Sequence, residues 1–414
     1  MTMALTLAQK LVARAAGKST VTPGDIVTCK VDLAMVHDSS GPRRLKPRLE
    51  RLGAKVWDPS KVVVITDHYL PAYDDDSRKI IQIARDWVKQ AGVDAFYDAQ
   101  GICHVVLPER GHLRPGMFAV GGDSHSPTGG AFAAYMFGIG ATEMLGVMVT
   151  GEIWLKVPHT IALDFDGRLA SGVAAKDIML FLIGRFGMDG GQYQAVEYRG
   201  PAIRALSMQE RMTLCNMTAE LGGQTGLIAS DEVTRQYLKR DIEIWDSDPA
   251  APLLAHHRFS AAELAPQVAA PHSPANTRPV TDFREKLDLA YIGACTGAKL
   301  DDLRMAASVL KGRKAKIRLL VAPASLRDQQ SAEREGTLGI LLDAGAELLA
   351  NSCGMCAGFG PNLLAANTVT ISTTARNFKG RMGDPAAQVY LASPYTVAAS
   401  AVAGRITDPR ELLA

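Results

Sequence analysis

No apolar stretch in this 414-residue chain is long enough to span a bilayer, and the N-terminus lacks the apolar core and cleavage pattern of a signal peptide. A secreted or membrane-embedded class is therefore not expected, and the reading is cytoplasmic. Charge of one sign is missing too: 45 basic residues face 43 acidic ones, so no overall field would hold nucleic acid or an anionic membrane. An anionic substrate must be captured locally. Cysteine is sparse, with six residues at irregular spacing, which excludes a disulfide framework and fits a reduced compartment where thiolates meet metal. Short-period repeats and low-complexity tracts are also lacking.

What is present is alternation. Val- and Ile-rich runs at 26–36, 62–66, 117–120, 160–165, 287–292, 317–322 and 368–372 read as strands. Helical patterns fall between them at 77–91, 174–186, 207–221, 301–310 and 329–343, and a first helix is expected within residues 1–14. This order predicts α/β layers with mostly parallel sheets, whose ligands gather beyond the carboxyl ends of the strands. The segment 246–282, rich in Pro, Ala, His and Asp, reads as a linker. The expected division is 1–156, 157–284 with that linker at its end, and 285–414.

The cysteines of the last third form a set one short of a full cluster: Cys295 in Gly-Ala-Cys-Thr-Gly, and Cys353 with Cys356 in Ser-Cys-Gly-Met-Cys-Ala. A cubane iron-sulfur cluster normally takes four thiolates, so three leave one iron with an open position that can act as a Lewis acid on a substrate oxygen. That pattern points to a dehydratase rather than an electron carrier. A CxxC pair by itself also fits structural zinc, redox chemistry or plain packing. Cys29, Cys103 and Cys215 read as small buried hydrophobes.

A second constellation lies in the N-terminal half. Five of the nine histidines stand at 37, 68, 104, 112 and 125, and three of them adjoin or nearly adjoin an aspartate: His37-Asp38, Asp67-His68 and Asp123-Ser124-His125. A carboxylate beside an imidazole fixes its tautomer and raises its basicity, as proton transfer requires. The glycines flanking Asp123 to His125 allow close approach to a small ligand, and Thr128 follows in the same motif. Asn216 and Glu220, four apart, share a helix face, which is equally the pattern of a solvated polar stripe. Arg376 and Arg381 suit a di- or tricarboxylate through bidentate pairing, with a basic surface patch as the competing reading.

Taken in order, Asp67-His68, Gly101-Ile-Cys-His104, Gly122-Asp-Ser-His125, Asn216-Met-Thr-Ala-Glu220, Gly293-Ala-Cys295-Thr, Cys353-Gly-Met-Cys356 and Arg376-Asn-Phe-Lys-Gly-Arg381 resemble the aconitase superfamily. The likeness spans nearly the whole chain and is greatest to large subunits of its two-chain hydro-lyases. It implies three α/β/α domains around a central cleft and a [4Fe-4S] cluster on Cys295, Cys353 and Cys356, with one iron lacking a protein ligand. It implies acid-base work by Asp67, His68, His104, Asp123, His125 and Glu220, and substrate binding by Ser124, Thr128, Asn216, Arg376 and Arg381. A small hydroxy-carboxylate would be the substrate. The swivelling fourth domain of the family has no room before Ala414, so a separate small subunit is expected to supply it, and with it the serine base. Two positions depart from the pattern: Gly297 and Ala375 stand where related enzymes carry asparagine, which removes amides that could tune the cluster or touch carboxylate.

Overall fold

The computed structural model describes residues 4–413. The N-terminal sheet has five parallel strands in the order Phe96–Asp98, Val62–Thr66, Leu33–His37, Phe118–Gly121, Tyr135–Gly138. Its central strands are buried at every position, which is why they read as continuous apolar runs rather than alternating ones. A second sheet of four parallel strands runs Thr225–Leu227, Ala195–Arg199, Thr160–Asp166, Ala255–Ser260. The third has seven strands, five of them parallel, in the order Thr277–Pro279, Gln267–Ala269, Gln388–Ala392, Val369–Ser372, Leu289–Ile292, Arg318–Val321, Ala346–Leu348. One buried apolar cluster contains Val63, Ile161 and Ile292, one residue from each sheet.

Helices form where caps and apolar spacing agree. Asp75–Ala91 begins with a capping box between Asp74 and Ser77, buries Ile81, Ala84, Trp87 and Val88 on one face, and ends at Gly92 in the left-handed region. The first helix is Leu7–Ala15, with Thr6 and Gln9 closing its N-terminus; residues 1–3 of the expected stretch lie outside those described.

Four sequence expectations are revised. The run 26–36 is two strands: Ile26–Lys30 alternates exposed and buried positions and pairs antiparallel with Glu152–Lys156, whereas Leu33–His37 is wholly buried in the five-stranded sheet. The 329–343 pattern is two helices, Leu326–Arg334 and Thr337–Asp343, broken at Gly336, whose φ of 83° no helix accommodates. The 207–221 pattern ends as an α-helix at Asn216 and tightens into a 3-10 turn over Met217–Ala219. The expected linker 246–282 is built into the sheets, because Ala255–Ser260 extends the second and Gln267–Ala269 and Thr277–Pro279 extend the third. Its strands are short and its Pro residues interrupt any period, so no pattern betrayed them.

Two of the sheets have a point where successive strands depart in opposite directions. In the first it lies between Leu33–His37 and Phe118–Gly121, in the third between Leu289–Ile292 and Val369–Ser372. Loops diverge at such points and leave a crevice at the strand carboxyl ends. His37 ends one strand of the first pair and Asp123 follows the other; Cys295 and Arg376 follow the second pair.

Candidate active site

The two crevices open into one cavity of about 400 Å³, whose lining includes His68, His104, Asp123, His125, the three cysteines and both arginines. On the first-sheet side, Asp38 accepts backbone N–H groups from Asp67, His68 and Tyr69 at 3.3, 3.1 and 2.8 Å and so fixes the loop. Burial opposes its charge, but the neighbouring imidazoles of His37 and His68 hold this carboxyl well below the usual range. Asp67 binds His68 Nδ1 at 2.6 Å through one oxygen and accepts the Cys103 N–H at 2.7 Å through the other. His68 therefore turns Nε2 toward Asp123, 3.8 Å from Oδ2.

Asp123 is the hub. Its Oδ1 meets His104 Nε2 at 2.7 Å and accepts the His125 N–H at 2.8 Å, while His37 Nε2 lies 3.6 Å from Oδ2. Burial disfavours the Asp123 carboxylate, yet His104, His37 and His125 together hold it well below the ordinary carboxyl range. His104 moves the other way, because its burial outweighs the pull of Asp123 and lowers the imidazole. His37 stacks on His68 with ring centroids 4.0 Å apart; burial resists its charging, but the nearby carboxylates of Asp123 and Asp38 push it up to about 10.

Glu220 joins the two sides. Its Oε1 binds His125 Nε2 at 2.8 Å and Arg376 Nε at 2.5 Å, while the fully buried Oε2 has no partner among the described residues. The helix Met208–Asn216, closed at its start by a Ser207/Glu210 capping box, delivers Asn216, whose Nδ2 donates to Thr128 Oγ1 at 2.8 Å and to the Cys295 sulfur at 3.2 Å. The His125 loop can approach strand Thr225–Leu227 because Gly130 has no Cβ; one would lie 1.6 Å from the Gly226 carbonyl oxygen.

All three cysteines are free thiols. Cys353 accepts no disulfide partner and its backbone N–H donates to the Asp67 carbonyl at 2.8 Å, tying the CxxC loop to the histidine side. A hydrogen bond from Cys353 draws the Cys356 thiol below its ordinary range against the effect of burial, and Arg381, whose Nε donates to the Cys356 carbonyl at 2.9 Å, adds to it. Burial pushes the isolated Cys295 thiol up to about 12. Two buried lysines brace the loops behind: Lys299 Nζ donates to the Cys295 carbonyl at 2.9 Å, and Lys176 Nζ donates to the carbonyls of Thr373 at 2.5 Å and Thr374 at 2.7 Å.

The candidate residues thus occupy one place. Ser124 lines the cavity with Arg376 and Arg381, whereas Asp67, Thr128, Asn216 and Glu220 stand a layer behind its surface and hold the lining groups. Sequence reasoning left out His37 as a site residue, although its neighbour Asp38 and its place after a buried strand were a visible signal. It also missed Ser40, Arg44 and Phe359 in the cavity wall and Lys176 and Lys299 behind it. No spacing rule marks a lysine that donates to loop carbonyls from a distant helix.

Soft thiolates suit zinc or an iron-sulfur cluster. A single zinc, with Zn–S near 2.3 Å, would draw its sulfurs to about 3.8 Å from one another. The three cysteine sulfurs do not form a set lying within 4.8 Å of each other, as the ligand atoms of His104, Asp123 and His125 do. The trio is therefore not drawn together around one ion.

Comparison with known proteins agrees with this geometry. The model of the aconitase family (aconitate hydratase) matches residues 9–287 and 279–404. The chain is 43% identical to the probable 3-isopropylmalate dehydratase large subunit of Methanothermobacter thermautotrophicus, over 99% of this chain and 100% of that protein. It is 44% identical to the probable methanogen homoaconitase large subunit of Methanosarcina mazei, over 92% and 99%. Thermococcus kodakaraensis aconitase X in its holo-form shares the fold, with a TM-score of 0.51 at 13% identity, covering 86% of this chain and 88% of that one. With sulfurs, imidazoles and guanidinium groups meeting in one cavity and matched segments covering most of its length, this chain belongs to the aconitase family.

Proposed function

We propose that the chain is the large subunit of a hydro-lyase that reversibly removes water from a small 2-hydroxy di- or tricarboxylate, a carbon-oxygen lyase like the dehydratases it resembles. The family carries an iron-sulfur cluster. Here it would be a [4Fe-4S] group on Cys295, Cys353 and Cys356 with one iron lacking a protein ligand, and three free thiols lining one cavity support that assignment. When bound, the cluster supplies a Lewis acid for a hydroxyl oxygen.

The chain's own residues do the remainder. Arg376 and Arg381 present guanidinium groups to the substrate carboxylates, with Arg376 held in place by Glu220. The imidazoles around Asp123 hold the proton that the departing hydroxide takes up, His104, His68 and His125 being members that line the cavity with an anchored partner. Asp67 orients His68, and His125 passes the orientation of Glu220 to the Asp123 loop. Ser124, Thr128 and Asn216 complete the carboxylate and sulfur environment. The base for the carbon-bound proton would come from a small subunit, which the names of the relatives support. The domain boundaries are placed at 156 and 284, with the short strands Gln267–Ala269 and Thr277–Pro279 reaching across the second boundary into the third sheet.

The carrying observation is that three free thiols open onto the same cavity as two arginines and an aspartate ringed by histidines. The chain, co-produced with a small subunit of the family and purified without oxygen, should be brown, contain about four irons and four sulfides, and dehydrate a 2-hydroxy dicarboxylate. A colourless protein holding zinc would contradict the reading.

A further inference from the structure

Among the described residues, three lysine or arginine side chains are sealed from water: Lys176, Arg211 and Lys299. Two of them meet a carboxylate, Arg211 at 2.7 Å from Asp231 and Lys299 at 2.7 Å from Asp302. Lys176, only 1% exposed, makes no ion pair among the described residues. Its Nζ donates to uncharged oxygens, the Thr296 hydroxyl at 3.2 Å and the carbonyls of Thr373 at 2.5 Å and Thr374 at 2.7 Å. The adjacent Asp177 is engaged elsewhere: it accepts the N–H groups of Ala174 and Gln267, each at 2.8 Å, and burial pushes its carboxyl up to about 7. An ammonium buried without a counter-charge is costly, and burial pulls Lys176 down to about 8, which still leaves it charged at neutral pH. Neutral acceptors solvate that charge without cancelling it.

The position of the charge gives the reason for it. From the start of helix Ala175–Phe186, Lys176 reaches both loops that leave the strand-order reversal of the third sheet, since Thr296 follows Cys295 and Thr374 precedes Ala375 and Arg376. Among the ionisable groups whose fields reach the ammonium, Asp302 and Lys299 pair with each other, which leaves the sulfurs of Cys356 and Cys295. Three thiolates around a doubly positive [4Fe-4S] core carry one net negative charge, and one-electron reduction adds a second. We infer that Lys176 is the counter-cation of the group held by Cys295, Cys353 and Cys356, and that its charge favours cluster retention and the more negative state of the cluster. This role rests on the cluster reading above and adds which charge of the chain answers the cluster. A mere brace between the two loops would need N–H donors and no net charge.

The test takes the cluster-loaded protein assembled with a small subunit and compares wild type with Lys176→Gln, Lys176→Met and Lys176→Arg. Gln keeps an N–H donor without the charge, Met keeps the length without either, and Arg keeps the charge. In an anaerobic redox titration followed by electron paramagnetic resonance, both neutral variants should disfavour the reduced cluster by roughly tenfold, a fall in midpoint potential of about 59 mV for one electron. Arg should restore most of that fall, and either neutral variant alone decides the comparison. Loss of the cluster to an iron chelator, followed by visible absorbance, should be roughly tenfold faster in the neutral variants than in wild type or Arg. A reduction equilibrium in Gln or Met unchanged within about twofold, or an Arg variant that falls as far as they do, would overturn the inference and leave the cluster reading standing. A wild type that takes up no cluster would remove both together.

Discussion

At the scale of single residues, the account turns on Asp123 and on the space around the sulfurs. Asp123→Asn keeps the shape but cannot hold three imidazoles around a negative charge. Activity of the assembled enzyme should fall by about 10²- to 10⁴-fold in kcat, the usual contribution of a positioned acid-base group, with a smaller change in KM and an unchanged iron content. Gly297→Asn would restore the residue common in related enzymes, yet a Cβ at 297 would lie 2.1 Å from Thr373 Cβ. Thr373 Oγ1 accepts from the Gly293 N–H and donates to its carbonyl, both at 2.8 Å, so displacing it disturbs the Cys295 loop. Thermal unfolding should report a loss of roughly 1–3 kcal/mol, and an unchanged midpoint would show that the loop yields freely. The motif residues were legible because chemistry demands fixed types: thiols for a soft metal, paired carboxylate and imidazole for proton transfer. Arg44 and Lys176 were not legible, since a lone cation in a helical pattern is the commonest solvated residue and only the fold reveals where it points.

Elements carry the next level. Helix Cys103–Glu109 meets helix Leu326–Arg334 through two acids, Glu109, which accepts from Ser325 Oγ at 2.7 Å, and the nearby Asp328. Burial first, and the charge of Asp328 second, push Glu109 up to about 8 from 4.5. The folded chain keeps a proton that the unfolded chain releases above about pH 4.5, so this pair makes stability decline as pH rises from there to about 8, and the decline is complete above it. Glu109→Gln removes the ionisation while keeping an acceptor. Chemical denaturation across pH 5–8 should show a flatter profile for the variant and a relative gain at pH 8; parallel profiles would contradict the assignment. Lys176 acts between elements as well, from helix Ala175–Phe186 to the loop before Arg376. Lys176→Met leaves two buried carbonyls without donors, and a loss of about 2–4 kcal/mol should accompany a raised KM. The positions of most strands and helices could be read from period and burial, because continuous apolar runs and capped amphipathic helices each have one comfortable place. The segment 246–282 could not, as three short strands held by partners far along the chain leave no local pattern.

For the whole molecule, the sheets matter through the crevices they leave. Two strand-order reversals, one in the first sheet and one in the third, face a common cavity, and the second sheet's domain contributes Glu220 and Asn216 to the seam between them. Each side is incomplete alone: the first has proton-holding groups and no sulfur ligands, the third has thiols and guanidinium groups and no histidine pair. Among the described residues no helix is long and apolar enough to cross a membrane. The chain without a small subunit should bind a cluster but turn over no substrate at an appreciable rate, and adding that subunit should restore activity. The most direct test of the central claim is anaerobic reconstitution of the isolated chain with iron and sulfide, read by visible absorbance, beside its Cys295→Ser, Cys353→Ser and Cys356→Ser variants. A brown chromophore in the wild type, weakened or lost in each variant, is the expected result; a wild type that stays colourless, or variants that colour as fully as it does, would contradict the account.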